Sequence, residues 1–294
     1  MDNGVIYGQK LPLKELRDEQ WQKKYAEISL LGLMLREQGI SFVEFPINED
    51  TEAEIVYETA KTFSNEGVSV SLHPYLHKEL APEIYDQNRY DDLERLLTIV
   101  HQTGEITGAP VPCVFHGGLA NMKPHMVPER KALLCAKTFF AAIDSLTALK
   151  YSNVIPFCET QTPWSASSKG ALRLGDTYKG CLELIEGTSI GICWDFGHTF
   201  RASYLKKHDL YPDEHFLARV KHVHAHDTIL LGDQHEDHFP LGSGIVPWKE
   251  YCAELARHEY NDTVLLEVPV DRFSNLEDFL HSVCRSVEML NNLF

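Results

Sequence analysis

Eight short apolar runs, rich in β-branched residues, alternate along this chain with longer segments that have the periodicity of amphipathic helices. The short runs predict strands at residues 5–7, 41–47, 68–74, 111–116, 154–159, 190–195, 220–226 and 264–268. The longer segments predict helices at residues 18–39, 50–66, 90–108, 127–150, 174–187, 212–219, 247–260 and 275–292. Strands that are separated by helices pair in parallel through right-handed crossovers. Eight such units predict an α/β fold, a closed (β/α)8 barrel, rather than an open doubly wound sheet.

The sequence gives no sign of a domain boundary. It contains no Pro/Ser-rich linker and no low-complexity tract, so we predict one domain over residues 1–294. Neither a GxGxxG turn nor a P-loop follows the first strand, which predicts that the protein uses no nucleotide cofactor. The longest irregular connections are predicted at 75–89, 160–173, 199–211 and 227–247. All four follow strands, so we expect them over the carboxyl ends of the strands, where barrels build their active sites.

The charge balance argues against nucleic acid as a partner. The chain has 43 acidic and 27 basic residues and a net charge of −16, whereas surfaces that bind nucleic acid are basic. The connection at 227–247 contains no Lys or Arg, and the connection at 75–89 contains only Lys78 and Arg89.

We also predict a cytoplasmic protein with no membrane partner. The first residues lack the basic flank and apolar core of a signal peptide, and no uninterrupted apolar run is long enough for a membrane helix. The seven cysteines stand singly, without a CxxC pair. This pattern favours buried reduced thiols over a disulfide framework or a structural zinc site.

The richest cluster of metal-ligating residue types lies at 220–248, which reads VKHVHAHDTILLGDQHEDHFPLGSGIVPW. Imidazoles and carboxylates at this density would repel one another or lose hydration if they were packed together unpaired, so a bound cation is the economical explanation. The alternative is a solvated His-rich loop, because His-rich composition alone is a weak signal.

The ends of six predicted strands carry the same residue types. These residues are His73, His116, Glu159, Asp195, His224 and Glu267. Each one alone has an ordinary explanation as a helix cap or a salt-bridge partner, but in a barrel all six positions converge on one axial cavity. Imidazole nitrogen mixed with carboxylate oxygen suits zinc, manganese or cobalt better than calcium or an iron–sulfur cluster.

The residues at the strand ends resemble those of the xylose isomerase-like TIM barrel superfamily. This superfamily includes sugar isomerases, sugar epimerases and apurinic-site endonucleases. The resemblance runs from about residue 41 onward. It is sharpest in the motifs DFGH at 195–198, HAHD at 224–227, EDH at 236–238 with GSG at 242–244, and LEVP at 266–269.

The isomerase and epimerase branch implies one divalent ion, Mn, Co or Zn, held by Glu159, Asp195, His224 and Glu267. The two glutamates would be catalytic, removing and returning a proton on opposite sides of a substrate carbon. His198 would contact a substrate hydroxyl. The resemblance also allows a homo-oligomer formed through the outer helices.

Two tryptophans are candidate substrate-binding residues. Trp164 and Trp248 lie close in sequence to the proposed site, where their rings could pack on the C–H face of a sugar. Packing within the barrel explains them equally well.

The endonuclease branch implies a three-zinc cluster with additional ligands. These residues are His73, His116, His198, Glu236 and His238. The acidic ligand would be Glu236 or its neighbour Asp237, because the family's Asp-x-His motif reads EDH here. Since the strand-end connections are poor in Lys and Arg, we favour a sugar or polyol isomerase or epimerase. A zinc-dependent phosphoester hydrolase is the alternative, followed by a metal-dependent lyase or hydratase.

Overall fold

The computed structural model describes residues 4–75, 87–121, 129–163, 171–205, 208–231 and 234–294. In chain order its strands are β1 (Ile6–Lys10), β2 (Ile40–Asn48), β3 (Ser69–Tyr75), β4 (Val111–His116), β5 (Leu119–Asn121), β6 (Val154–Glu159), β7 (Ala171–Arg173), β8 (Gly191–Asp195), β9 (Val220–Ala225), β10 (Asp227–Leu231), β11 (Gln234–Phe239) and β12 (Thr263–Leu266). Eight of them close into a parallel barrel in the order β1, β12, β9, β8, β6, β4, β3, β2. Each of these eight overlaps one predicted strand, so the predicted (β/α)8 barrel is confirmed.

The helices surround the barrel. They are α1 (Glu19–Lys24), α2 (Ile28–Glu37), α3 (Ala53–Asn65), α4 (Gln87–Thr107), α5 (Glu129–Leu149), α6 (Tyr178–Leu184), α7 (Phe196–Tyr204), α8 (Glu214–Leu217), α9 (Trp248–Arg257) and α10 (Leu276–Asn291). Their apolar stripes face inward. In α10, for example, Phe279, Val283, Val287 and Leu290 recur every three or four residues and are buried. The outer helices therefore seal the barrel wall.

The helix predicted at 18–39 is two helices in the structure. The side chain of Asp18 caps α1 by accepting from the backbone N–H groups of Gln20 and Trp21. The chain then leaves the helical conformation before α2 begins at Ile28. Tyr25, at the break, is buried, and its hydroxyl donates to the carbonyl of Phe273 at 2.9 Å. This burial and long-range hydrogen bond outweigh the local helical periodicity.

Three connections predicted to be irregular contain regular structure. Helix α7 begins immediately after β8, because Asp195 caps it by accepting from the backbone N–H of His198. Strands β10 and β11 form an antiparallel hairpin within 227–247, and β7 pairs with β5. These short ladders satisfy backbone groups that would otherwise need other partners.

Helix α5 contains a stretch, Arg130–Leu149, that is long and apolar enough to cross a membrane by length and composition. A core helix of a soluble protein passes the same test. Ala136, Phe140 and Ile143 on this helix are fully buried, which is consistent with its place against the barrel wall.

All seven cysteines are free, and Cys284 is the only one of them that is not buried. The cytoplasmic location stays a prediction.

Candidate metal centre

Four side chains that are far apart in sequence meet at the carboxyl end of the barrel. Glu159 ends β6, Asp195 ends β8, His224 lies one residue before the end of β9, and Glu267 follows β12. One ligand atom of each lies within 4.8 Å of a ligand atom of every other. All four side chains are buried, with relative exposures of 0 to 2%. They meet because the carboxyl ends of parallel strands form one rim.

The charges of this cluster fit a divalent cation. His224 Nδ1 lies 3.3 Å from Glu159 Oε1 and 3.3 Å from Glu267 Oε2. Neither His224 Nδ1 nor Glu267 Oε2 has a hydrogen-bond partner among the described residues. Three buried carboxylates and one imidazole supply the oxygen and nitrogen donors that zinc, manganese and cobalt accept. The residues therefore fit a metal ion, which would satisfy both atoms and offset the negative charge.

Both glutamates are held in their ionised form. Burial opposes this charge on Glu159, but His116, His198 and His224 outweigh it and keep the pKa of Glu159 well below its ordinary value. For Glu267, Lys10 and His224 likewise outweigh burial and lower the pKa. The ammonium of Lys10 forms an ion pair with Glu267 Oε1. Both carboxylates can therefore bind a cation or accept a proton at neutral pH.

His226 orients Asp195. The backbone N–H of His238 donates to His226 Nδ1 at 3.1 Å, which favours the tautomer with the imidazole proton on Nε2. His226 Nε2 in turn donates to Asp195 Oδ1 at 3.1 Å. The neighbouring glycine makes room for this ring, because a Cβ on Gly197 would lie 2.0 Å from Cε1 of His226. In the DFGH motif, Asp195 is thus both a candidate metal ligand and the cap of α7, and Gly197 leaves space for the ring of His226.

A second group of potential ligands adjoins Glu159. His73 Nε2 lies 3.1 Å and His116 Nε2 lies 3.0 Å from Glu159 Oε2. The ring of Tyr75 stacks on His73, with ring centroids 4.3 Å apart, and meets His116 edge-on. Together His73, His116 and Glu159 form a compact set that could hold a second cation.

The ligand atoms of His198, His226 and His238 form a third group. His198 Nδ1 lies 3.3 Å from Asp195 Oδ2, and His238 Nε2 lies 3.6 Å from Glu267 Oε2. Both ring nitrogens of His226 already have hydrogen-bond partners, so this imidazole has no free lone pair for a metal. His198 and His238 therefore remain as the available ligands of this group.

The acidic residues of the hairpin point to arginines. Glu236 Oε1 lies 3.2 Å from Arg272 Nη1. Asp237 Oδ1 accepts from Thr228 Oγ1 at 2.9 Å, and its Oδ2 lies 3.3 Å from Arg201 Nη1. Within the described ranges, neither carboxylate belongs to a group of potential metal ligands.

Of the two predicted substrate-binding tryptophans, Trp248 lies within the described residues. Trp248 begins α9 and is 5% exposed within the hydrophobic core. Its contact with substrate stays a prediction. Trp164 lies outside the described residues.

Sequence reasoning overlooked Lys10 and Glu44, which lie on the first two strands. Glu44 is a single charged residue within the apolar run SFVEFPI, and it is fully buried. That interruption was the available signal, because a carboxylate inside an apolar strand needs a partner when it is buried. Two imidazoles of β9 lie close to this carboxylate. His224 Nε2 is 3.3 Å from Glu44 Oε1, and His222 Nε2 is 3.5 Å from Glu44 Oε2.

Lys10, which pairs with Glu267, also lines a cavity of about 340 Å³. Its lining includes Trp21 and Tyr25 together with charged residues of both signs, Lys24, Glu15 and Asp271. A larger cavity of about 560 Å³ includes Val154, Gly191 and Thr263 in its lining, at or near the amino ends of their strands. Of these two cavities, the smaller one includes Lys10, which contacts the candidate metal ligand Glu267.

The family model described as "Xylose isomerase-like TIM barrel" matches residues 34–289. A D-tagatose 3-epimerase-like protein is 15% identical and has a TM-score of 0.63, with 97% of this chain and 98% of that chain covered. A D-psicose 3-epimerase from Clostridium cellulolyticum H10, solved with D-tagatose, is 9% identical with a TM-score of 0.67 and the same two coverages. A D-allulose 3-epimerase from Methylomonas sp. in complex with D-allulose is 12% identical, with a TM-score of 0.65 and coverages of 99% and 97%. At these identities the similarity establishes the fold. No curated protein matches the sequence.

Proposed function

The chain belongs to the xylose isomerase-like TIM barrel family, and from this premise we propose that it is a divalent-metal-dependent isomerase or epimerase of a sugar or polyol. The observation that carries the proposal is the meeting of Glu159, Asp195, His224 and Glu267 in one buried cluster. The structural neighbours include several sugar 3-epimerases, which supports the substrate class.

The two glutamates would perform the proton transfer. A bound divalent cation, held by the four residues, supplies polarisation of a substrate carbonyl or hydroxyl. Glu159 and Glu267 flank His224 Nδ1 at 3.3 Å each, so a substrate carbon above the cluster could face both carboxylates. One carboxylate would remove the proton from the carbon next to a carbonyl. The other would take up a proton from solvent and return it to the opposite face of that carbon.

Neighbouring side chains would tune the two glutamates differently. His73 and His116 contact Glu159 Oε2, whereas the ammonium of Lys10 contacts Glu267 Oε1. Lys10 stabilises the ionised form of Glu267 and so keeps this carboxylate unprotonated before the substrate binds. His198, whose Nδ1 lies 3.5 Å from Glu159 Oε1, would orient a substrate hydroxyl.

The second and third ligand groups favour one alternative, a zinc-dependent phosphoester hydrolase with up to three ions. Two features argue against the binding of three zinc ions. His226 lacks a free lone pair, and Glu236 is paired with Arg272. The third group would then offer only two imidazoles, fewer than the three protein ligands of typical catalytic zinc sites.

The test is metal analysis followed by proton exchange. Protein purified without chelator should contain about one Mn, Co or Zn ion per chain. With a panel of ketoses in D2O, it should introduce solvent deuterium at the carbon that is epimerised or isomerised. Three zinc ions per chain, no deuterium exchange and cleavage of an abasic duplex would together replace this proposal with the hydrolase.

A further inference from the structure

We infer that Glu44 is a positioning residue that directs the free lone pair of His224 Nδ1 toward the metal. This inference rests on the proposed function, because it concerns the metal site that the function requires. It assigns a role to a residue on β2, a strand that contributes no metal ligand to the proposed set.

Glu44 occupies the barrel interior beside the candidate centre. Its side chain is 0% exposed. Oε1 lies 3.3 Å from His224 Nε2, an ion-pair contact without hydrogen-bond geometry. Oε2 accepts a hydrogen bond of 2.7 Å from Ser71 Oγ. The strand register places Ser71 opposite Glu44 on the neighbouring β3, so the hydroxyl fixes the carboxylate from the side. The carboxylate is therefore held in one orientation against His224.

His224 has different surroundings at its two ring nitrogens. Nδ1 faces Glu159 Oε1 and Glu267 Oε2, and Nε2 faces Glu44. Once His224 gives up one proton to bind a metal, the imidazole carries one N–H and one lone pair, and the partner at one nitrogen decides which atom keeps the proton. A carboxylate at Nε2 stabilises the proton there and leaves the lone pair on Nδ1.

The metal centre needs the Glu44 carboxylate because the charges of the other ligands favour a proton on His224 Nδ1. Two ligand carboxylate oxygens lie 3.3 Å from Nδ1, and both would stabilise a proton on that atom. Without an opposing carboxylate at Nε2, the favoured tautomer would place N–H on Nδ1 and block the metal position. Glu44 counteracts this preference from the opposite side of the ring. Nothing else within ion-pair distance of His224 Nε2 in the described ranges carries a negative charge.

One competing explanation is that Glu44 itself binds a cation together with His73 and His224, and such an ion would use His224 Nε2 and leave the proton on Nδ1. Another is that Glu44 serves only His222. That imidazole lies 3.5 Å from Glu44 Oε2. It is also held by other contacts, since its Nδ1 lies 2.6 Å from Thr263 Oγ1 and its ring stacks on Phe157 at an interplanar angle of 10°. His222 therefore provides the matched control: it shares Glu44 but has no nitrogen in the proposed metal set.

The experiment measures Mn²⁺ affinity by calorimetry at pH 7.5 for wild type, Glu44→Gln and His222→Gln. We expect Glu44→Gln to bind Mn²⁺ about 10- to 100-fold more weakly, as is typical when a partner of a ligating imidazole is lost. The Mn²⁺ affinity of His222→Gln should stay within about threefold of wild type, because a residue that neither binds the metal nor orients one of its ligands has little effect on affinity. The melting temperature in EDTA separates positioning from folding, because a purely structural role would lower it in Glu44→Gln and leave the affinity unchanged.

A second measurement needs no variant at this site. In the Zn²⁺-loaded wild-type protein, long-range ¹⁵N–¹H spectra should show His224 with its proton on Nε2. A proton on Nδ1, equal affinity of Glu44→Gln and wild type, or an equal loss in His222→Gln would each overturn the inference. Failure of the wild type to bind any divalent ion would instead overturn the proposed function itself.

Discussion

His226 Nε2 donates a hydrogen bond of 3.1 Å to Asp195 Oδ1, and the ring can do so only because residue 197 has no side chain. Asp195 also accepts from the backbone N–H of His198 at 2.7 Å, as the cap of α7. The ligand carboxylate is thus fixed by a helix start and by an imidazole from the neighbouring strand end. A change at position 197 should therefore reach the metal site through His226.

We expect Gly197→Ala to destabilise the protein and weaken metal binding. The added Cβ would lie 2.0 Å from His226 Cε1, so the ring must move away from Asp195. Overpacking of this kind costs about 1–3 kcal/mol. Denaturant unfolding measures the stability, and Mn²⁺ titration measures the affinity.

The double variant Gly197→Ala, His226→Ala is the control for this prediction. With the imidazole removed, alanine has room, and its better helix propensity should recover up to about 1 kcal/mol relative to His226→Ala alone. The double-mutant cycle isolates the clash from other effects of each substitution. If Gly197→Ala destabilised both backgrounds equally, the clash with His226 would not be the cause.

Glu159→Gln and Glu267→Gln should each reduce turnover of a ketose substrate by about 10²- to 10⁴-fold, the usual contribution of a positioned acid or base. Both residues end or follow barrel strands, and an amide of the same size preserves the packing. Circular dichroism should therefore remain that of the wild type. Glu236→Gln is the matched control, because its carboxylate pairs with Arg272 outside the cluster and its loss should leave turnover nearly unchanged. Full activity in either glutamate variant would contradict the proton-transfer roles.

Lys10→Met should destabilise the metal-free protein more than the metal-loaded one. The substitution removes the ammonium that pairs with Glu267, whose carboxylate is 3% exposed and keeps its charge at neutral pH. Leaving a buried charge unpaired costs several kcal/mol, and we expect about 2 kcal/mol here because the Lys10 side chain is itself 18% exposed. A divalent ion on the same carboxylate would replace much of the lost positive charge. Thermal unfolding in EDTA and in Mn²⁺ tests this, and equal losses under both conditions would contradict it.

The fold was predictable because its determinants are local and repeated. Each barrel strand is a short apolar run between helical segments, and eight repeats of this pattern leave few alternatives to a closed barrel. The pattern could not reveal α7, because Asp195 serves as both the end of a strand and the cap of a helix, with no intervening turn. It also missed the break in the helix predicted at 18–39, where Tyr25 finds its hydrogen-bond partner at Phe273. Such a long-range contact leaves no periodic signal.

The candidate site was predictable to the extent that its residues lie at strand ends. The sequence placed Glu159, Asp195, His224 and Glu267 on one rim, and the structure brings them together. It could not show which partners hold them. Glu44 interrupts an apolar strand without any motif, and the role of His226 depends on the approach of a hairpin whose His238 N–H selects its protonated nitrogen. Interactions between strands decide these features, and spacing along one strand does not report them.

Metal affinity should rise with pH through the neutral range. In the metal-free protein, burial opposes a charge on His224, but the carboxylates of Glu267 and Glu44 outweigh it and raise the pKa of His224 well above its ordinary value. The imidazole therefore retains its proton between about pH 6.5, where an unperturbed histidine titrates, and its raised pKa. A metal must displace that proton to bind, so each step toward lower pH in this window weakens binding.

The stability of the metal-free protein should change in the opposite direction in the same window. A group with a raised pKa stabilises the folded state fully below its unfolded pKa, and this contribution disappears as the pH rises through the folded value. In EDTA, unfolding free energy should therefore fall between about pH 6.5 and the raised pKa, while the Mn²⁺ affinity increases. Calorimetry in two buffers with different ionisation enthalpies should detect about one proton released per ion bound near neutral pH. Affinity that did not vary with pH would show that His224 is already neutral before the metal binds, and the charge balance deduced for the cluster would be wrong.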